Sequence, residues 1–300
     1  MKKALLYSIF ALGIASTTLT SCEDIFGGFL DKQPSNELTG EQVFSDWNLT
    51  VQFHLDTYNF LRHGAGRIST TWLDAATDLA ETSYGNGVRT SFNIGNFYGG
   101  SGASELVDTW EHYYRGIRKC NMLLTRIEEV PQNPAVSEDK YNRDKKNYIA
   151  EARFLRAYFY WELFLRYGPI PIVKEVLDPN GDLMSKYTTR PTTKEYVVDF
   201  ILEELKSCEG NLLDYETAWK SSSAGRIGQP MACALRSRIM LFMASPRYSS
   251  ESGITWQQAA DVAKEFIDTY GANFALFNAK DATGATLGIE NYTNALLRTA

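Results

Sequence analysis

Apolar residues recur at steps of three and four along most of the chain beyond residue 40, the period of a helix with one buried face. The cleanest stripe spans about 104–129, where Leu106, Trp110, Tyr113, Ile117, Cys120, Leu124 and Ile127 fall on one side, and Pro131 and Pro134 stop it. The next helix, about 142–167, changes character halfway. Phe154, Leu155, Tyr158, Phe159, Trp161, Leu163 and Phe164 make its second half apolar nearly all round, so neighbours must cover it on several sides. Glu162 and Arg166 form a favourable i,i+4 pair, and Gly168-Pro169 supplies a stop. A helix over about 193–213 opens on the capping box Thr192-x-x-Glu195 and carries Val198, Ile201, Leu205, Cys208 and Leu212. Another, about 229–244, has Pro230 in its first turn and Pro246 just beyond its end. The last, about 256–270, opens on Thr255-x-x-Gln258 and faces inward with Ala259, Ala263, Phe266 and Tyr270. Weaker patterns predict helices over about 41–63, with Val51, Leu55 and Tyr58 on one face, and about 70–82.

Helices in sequential pairs with short connectors predict a mostly α protein of tetratricopeptide-like stacked helical hairpins with long irregular loops. No strict 34-residue period is visible. Segment 83–103 breaks the pattern. Glycines at 85, 87, 95, 99, 100 and 102 alternate with Tyr84, Phe92, Phe97 and Tyr98, which reads as a long loop of the kind that often carries function.

The start of the chain follows other rules. Lys2 and Lys3 precede a short apolar run, Ala4 to Ile14, and a small-residue stretch ending at Ser21. That is a secretory signal, too short to span a bilayer. Leu19-Thr20-Ser21-Cys22 resembles a bacterial lipobox, which would make residues 1–21 a lipoprotein signal peptide and Cys22 an acylated first residue. Each buried methylene of such a lipid contributes about 0.8 kcal/mol to anchoring. Residues 22–40, with Gly27, Gly28 and Pro34, read as the lipidated tether, and residues 41–300 as the helical domain.

Composition narrows the function classes. The 300-residue chain carries a net charge of −6, and loss of Lys2 and Lys3 takes it to −8, a poor match for nucleic acid. At 44% apolar and 13% aromatic it has the means for a large core. Beyond Cys22, Cys120, Cys208 and Cys233 are widely spaced on apolar helical faces and read as buried thiols. His54, His63 and His112 have no metal-ligand spacing. There is no Gly-x-Ser-x-Gly, no phosphate-binding loop and no dinucleotide fingerprint. A glycosidase needs only two carboxylates at the right separation, and among 36 acidic residues no pair stands out.

Several blocks resemble the SusD/RagB family of outer-membrane nutrient-binding lipoproteins. The most specific runs from Ala150-Glu-Ala-Arg-Phe-Leu-Arg-Ala-Tyr-Phe-Tyr-Trp through Gly168-Pro-Ile-Pro-Ile-Val173. Tyr114-Arg-Gly-Ile-Arg-Lys-Cys-Asn121 resembles the helix before it. Gly225-Arg-Ile-Gly228 with Leu241-Phe-Met-Ala-Ser-Pro-Arg-Tyr248 resembles a third block, and Leu30-Asp-Lys-Gln-Pro-Ser-Asn-Glu-Leu38 the start of the mature domain. The resemblance implies a non-enzymatic surface lipoprotein without cofactor that captures oligosaccharide and passes it to a SusC-like TonB-dependent transporter. It implies attachment to the outer membrane through Cys22, and it reads Glu23-Asp24 as a surface-export signal. Peptide binding within the family, a helical-repeat scaffold for a protein partner, and an α-helical glycoside hydrolase stay open as alternatives. Family members are longer, so a product truncated at the C-terminus is the expectation.

Sugar binding needs aromatic faces and planar polar groups. In the 83–103 loop, Tyr84, Phe92, Phe97 and Tyr98 are the candidate platforms, and Asn86, Arg89 and Asn96 the candidate polar partners; the plainer alternative is that these aromatics pin the loop to the body. Trp72 and Trp219 are weaker candidates, while Trp110 and Trp161 lie on core stripes and read as structural. Arg153 and Arg156 are expected to satisfy carboxylates or loop carbonyls. Asp74, Asp78 and Glu81 share a face that suits calcium but reads more simply as a solvated acidic surface.

Overall fold

The computed structural model describes residues 39–62, 73–80, 93–96, 104–178, 180–220 and 223–274. The signal peptide, Cys22, nearly all of the tether and most of the 83–103 loop lie outside the described residues. The chain divides into a unit Met1–Val43 and a unit Phe44–Ala300, and the second carries the helical body. Among the described residues it is mostly helical, with one isolated bridge between Leu213 and Gly228.

Among the described residues, seven α-helices of six residues or more build it: α1 (Trp47–Asp56), α2 (Ser104–Arg126), α3 (Glu138–Tyr167), α4 (Glu203–Glu209), α5 (Tyr215–Lys220), α6 (Gln229–Met243) and α7 (Trp256–Tyr270). α2 packs on α3, α3 on α4, α4 on α6, and α6 on α7, the sequential order of stacked hairpins.

α3 is the axis of the core. Ser137 caps it by accepting from the Lys140 N–H, and Glu138 and Asp139 sit in the first turn, where the helix dipole favours them. It ends at Gly168, whose φ of 67° lies in the region glycine adopts without strain. Its apolar second half is covered on three sides, as the sequence demands. The Tyr113 ring of α2 stacks on Phe159 at 5.6 Å, Phe200 meets Tyr160 at 5.1 Å, and Phe242 of α6 meets Trp161 at 5.4 Å. The Glu162–Arg166 pair forms at 3.0 Å. α2 approaches α3 closely at Gly116, where an added Cβ would sit 2.7 Å from the fully buried Phe159 ring. Gly116→Val should therefore cost about 1–3 kcal/mol through overpacking, read as a lower denaturation midpoint; an unchanged midpoint would show that the helices can separate freely.

Three sequence expectations need correction. The helix expected over 193–213 opens as a π-helical segment, Lys194–Leu202, before continuing as α4 and stopping at Glu209. Wider turns align residues four and five apart, so Tyr196, Val197, Phe200 and Ile201 all reach the core, and the Thr192–Glu195 capping contacts still form. The helix expected over 41–63 breaks into Gly40–Phe44, α1 and a 3₁₀ turn at Thr57–Phe60. α1 restarts because the Asp46 side chain accepts from the Leu49 N–H. Its buried face is Trp47, Thr50, His54 and Thr57, with Leu55 left 42% exposed. The helix expected over 70–82 is described only over 73–80, where it is a 3₁₀ turn at Leu73–Ala76.

His54 explains the shifted face of α1. Its Nε2 lies 2.8 Å from a carboxylate oxygen of Glu151, which is 0% exposed. A carboxylate only accepts, so Nε2 carries the proton. The Tyr58 hydroxyl donates to the same oxygen at 2.7 Å, and Arg226 pairs with the other. One buried carboxylate thus ties α1, α3 and the loop before α6 together.

A second network joins α4, α6 and α7. Arg236 lies 3.4 Å from Glu209 and 2.7 Å from Glu265, Lys206 pairs with Glu265, and the Tyr270 hydroxyl donates to Glu209. Glu209, Cys233 and Glu265 have ligand atoms within 4.8 Å of one another, but the guanidinium already occupies the two carboxylates. Hydrogen bonds from Arg236 and Lys206 hold the Glu265 carboxyl below its ordinary value of 4.5. A depressed carboxylate stabilises the fold above its unfolded value, and that contribution fades as pH falls through the folded one. Thermal stability should decline below about pH 4.5, and less steeply in Glu265→Gln; identical pH profiles for the two proteins would remove this network from the account.

Cys120, Cys208 and Cys233 are free and buried, as expected, and burial pushes the Cys120 and Cys208 thiols up to about 12.

Candidate functional site

Among the described residues the segment 169–177 has no sheet partner, and side chains satisfy part of its backbone. α2 and α3 supply them. Tyr114 donates to the Pro171 carbonyl at 2.9 Å. Asn121 donates to Val173 and Glu175 at 2.9 and 3.1 Å, and Arg118 donates to Leu177 at 3.1 Å. Alternate carbonyls, at 171, 173, 175 and 177, thus face α2 positions spaced by four and three. From α3, the Tyr160 hydroxyl takes the Val173 N–H at 2.7 Å and lies 3.1 Å from its carbonyl. Arg156 donates to the Asn121 Oδ1 at 2.8 Å and grips Glu204 at 2.6 Å, so both edges of the Asn121 amide are committed.

Lacing the segment onto α2 leaves a groove of about 380 Å³ between them, within the range of small-ligand sites. Its floor is Ile117, Val173 and Leu177. At one end the Trp110 indole is 41% exposed, held by Tyr114 at 4.9 Å and Tyr167 at 5.2 Å. Glu111, Arg115, Arg118 and Glu175 stand around the rim. Glu175 accepts from Lys186 and Tyr187, and Lys186 holds its carboxyl below the usual range. Burial raises the Tyr114 hydroxyl well above the ordinary tyrosine value, so it remains a neutral donor. A flat aromatic face beside fixed polar groups over an apolar floor suits a ring with one apolar and several polar edges, such as a pyranose.

A smaller slot of about 260 Å³ lies between α5, α6 and α7. Tyr215 and Trp219 stack at 6.1 Å, Phe274 meets Tyr215 at 5.3 Å, and Trp219 is 64% exposed. No apolar period marks α5 along the chain.

Of the site residues the sequence nominates, Tyr84, Asn86, Arg89, Phe92, Phe97 and Tyr98 lie outside the described residues, as do Cys22, Trp72 and Glu81. Asn96 is exposed, and nearby Asn93 donates to the Ala75 carbonyl at 3.2 Å. Asp74 and Asp78 are exposed. Trp161 and Arg156 play the scaffold roles expected of them, and Arg153 reaches Ser207. Trp110 corrects the sequence reading: it lies off the buried stripe and lines the groove. The signal was present as a second stripe, Trp110, Tyr114, Ile117 and Asn121, rotated from the core stripe of Tyr113, Ile117 and Cys120.

Comparison with known proteins bears on this architecture. Residues 28–241 match the SusD-like family described as starch-binding and associating with the outer membrane. No curated protein matches the chain. Among solved structures, a SusD-like protein of Bacteroides fragilis is 23% identical, with a TM-score of 0.54 over 82% of this chain and 42% of its own. A SusD homologue of Bacteroides thetaiotaomicron is 19% identical, with a TM-score of 0.57 over 80% of this chain and 43% of its own. A laminarin-binding SusD-like protein is 20% identical, with a TM-score of 0.56 over 85% of this chain and 50% of its own. These similarities establish the shared fold, and the chain spans half or less of the length of each of these three structures.

Proposed function

The chain belongs to the SusD-like family, and from that premise we propose that it is a surface lipoprotein, anchored through Cys22, that captures oligosaccharide without chemically altering it and passes it to a SusC-like TonB-dependent transporter. The observation that carries the binding part is the α2 groove, with the half-exposed Trp110 face above an apolar floor and polar groups at its rim. Segment 83–103 immediately precedes α2 in the sequence, and Trp110 stands in the second turn of that helix. Aromatics of the loop, Tyr84, Phe92, Phe97 and Tyr98, would extend the same binding surface along the chain, with Asn86, Arg89 and Asn96 as their polar partners. No helix among the described residues is long and apolar enough to cross a membrane, so membrane attachment in this reading falls to the lipid.

Two assays separate the parts of this reading. Cys22→Ser should move the protein out of the outer-membrane fraction, because a single residue carries the acyl chains; retention in that fraction would reject the lipid anchor. Affinity purification of the wild-type chain from membranes should recover a TonB-dependent transporter, and its consistent absence would reject the hand-off.

A further inference from the structure

The chemistry left over in the α2 groove is selective, and the geometry points to an anionic saccharide, a pyranose bearing carboxylate or sulfate, as its ligand. This rests on the reading of the groove as a saccharide site. Neutral sugar hydroxyls are commonly held by amides, hydroxyls and carboxylates, and the groove has already used most of these. Both edges of the Asn121 amide are engaged, by the Val173 and Glu175 carbonyls and by Arg156. The Tyr114 hydroxyl is given to Pro171. One oxygen of Glu175 is taken by Lys186 and Tyr187.

Two guanidiniums remain, beside the exposed carboxylate of Glu111. Arg118 spends one nitrogen on the Leu177 carbonyl, which fixes its fork at the groove wall, and its other donors have no partner among the described residues. Arg115, one turn away on the same helix, is 70% exposed, and its one acidic neighbour, Glu111, stands 3.8 Å off, beyond hydrogen-bond distance. A planar fork with free donors matches carboxylate and sulfate far better than isolated hydroxyls. The chain's net charge of −6 does not oppose this, because charges more than about 8 Å away are largely screened at physiological ionic strength. Trp110 would cover the apolar ring face while Arg115 and Arg118 take the acid group.

The test is calorimetric titration of the full chain with four tetrasaccharides: a galacturonate, a sulfated chondroitin fragment, a maltotetraose and a laminaritetraose. The expected result is that at least one anionic probe binds about tenfold more tightly than both neutral ones, the effect of one or two charge-assisted hydrogen bonds. Arg115→Gln and Arg118→Gln should each lower the ratio of anionic to neutral affinity within the same protein, the Arg118 variant also loosening the wall it ties to the Leu177 carbonyl. Among the described residues the only polar side-chain contact of Arg115 is its exposed pair with Glu111 at 3.8 Å, so its variant disturbs the fold least. Neutral probes binding as tightly as the anionic ones, with both variants behaving as wild type, would overturn the inference and leave the saccharide site standing. Binding of none of the four would overturn the saccharide reading, and this inference with it. The two anionic arms tell carboxylate from sulfate.

Discussion

Glu151→Ala should be the most damaging single substitution in the helical body, costing about 3–5 kcal/mol, the usual consequence of removing one partner of a buried ion pair. The carboxylate is 0% exposed and accepts from His54, Tyr58 and Arg226. Its loss leaves the Arg226 charge and the His54 Nε2 proton without their partner in the interior. Neither has a substitute at hand: His54 Nδ1 and Arg226 Nε already lack hydrogen-bond partners among the described residues. α1 would lose its polar tie to α3 and be left with Trp47 against Tyr141 and Tyr148. For a body of this size, the loss corresponds to a fall in melting temperature of about 6–20 °C. The exposed Lys264–Asp268 pair is the natural control, because breaking a surface pair changes stability by about 1 kcal/mol or less. A fall in Glu151→Ala no larger than that of the control would show that the cluster is not what fixes α1.

Trp110→Ala should leave the fold nearly intact and weaken saccharide binding by about 2 kcal/mol or more, roughly thirtyfold, as expected of a central aromatic anchor. The two effects separate because the indole is 41% exposed, and the rings against it among the described residues are Tyr114 and Tyr167. Tyr114 still donates to Pro171 in the variant, and Arg118 and Asn121 still hold the segment 173–177, so the groove wall stays in place. Trp110→Phe should recover part of the affinity, since a smaller ring offers the same kind of face. Equal losses of affinity and stability in Trp110→Ala would mean that the side chain is a packing residue, as its place in the sequence pattern first suggests.

Much of the fold could be read from the sequence because burial imposes a period. The all-round apolar run of α3 announced cover on several sides, and Phe159, Tyr160 and Trp161 each meet a different neighbour. Local capping chemistry placed the start of α7, where the Thr255–Gln258 box forms as expected. What escaped was set by partners far along the chain. The buried face of α1 is polar because His54 answers Glu151, 97 residues away, and no periodicity of apolar residues reports that. The π-helical turns of Lys194–Leu202 bring Tyr196, Val197 and Phe200 inside beside Ile201 and leave Val198 of the expected stripe half-buried, a shift that an α period does not report. The groove was hidden for the same reason as α1. Its wall exists because Tyr114, Arg118 and Asn121 reach carbonyls more than 50 residues away, and the sequence shows those side chains only as a second stripe beside the core one.

The central claim is that saccharide binds in the α2 groove against Trp110. Its most direct measurement is paired calorimetric titration of wild type and Trp110→Ala with the same panel of neutral and anionic oligosaccharides, with both melting temperatures recorded. The account predicts saturable binding by the wild type, about thirtyfold weaker binding by the variant, and melting temperatures within a few degrees of each other. Wild-type binding that survives Trp110→Ala at full strength would contradict it and move the site elsewhere on the molecule.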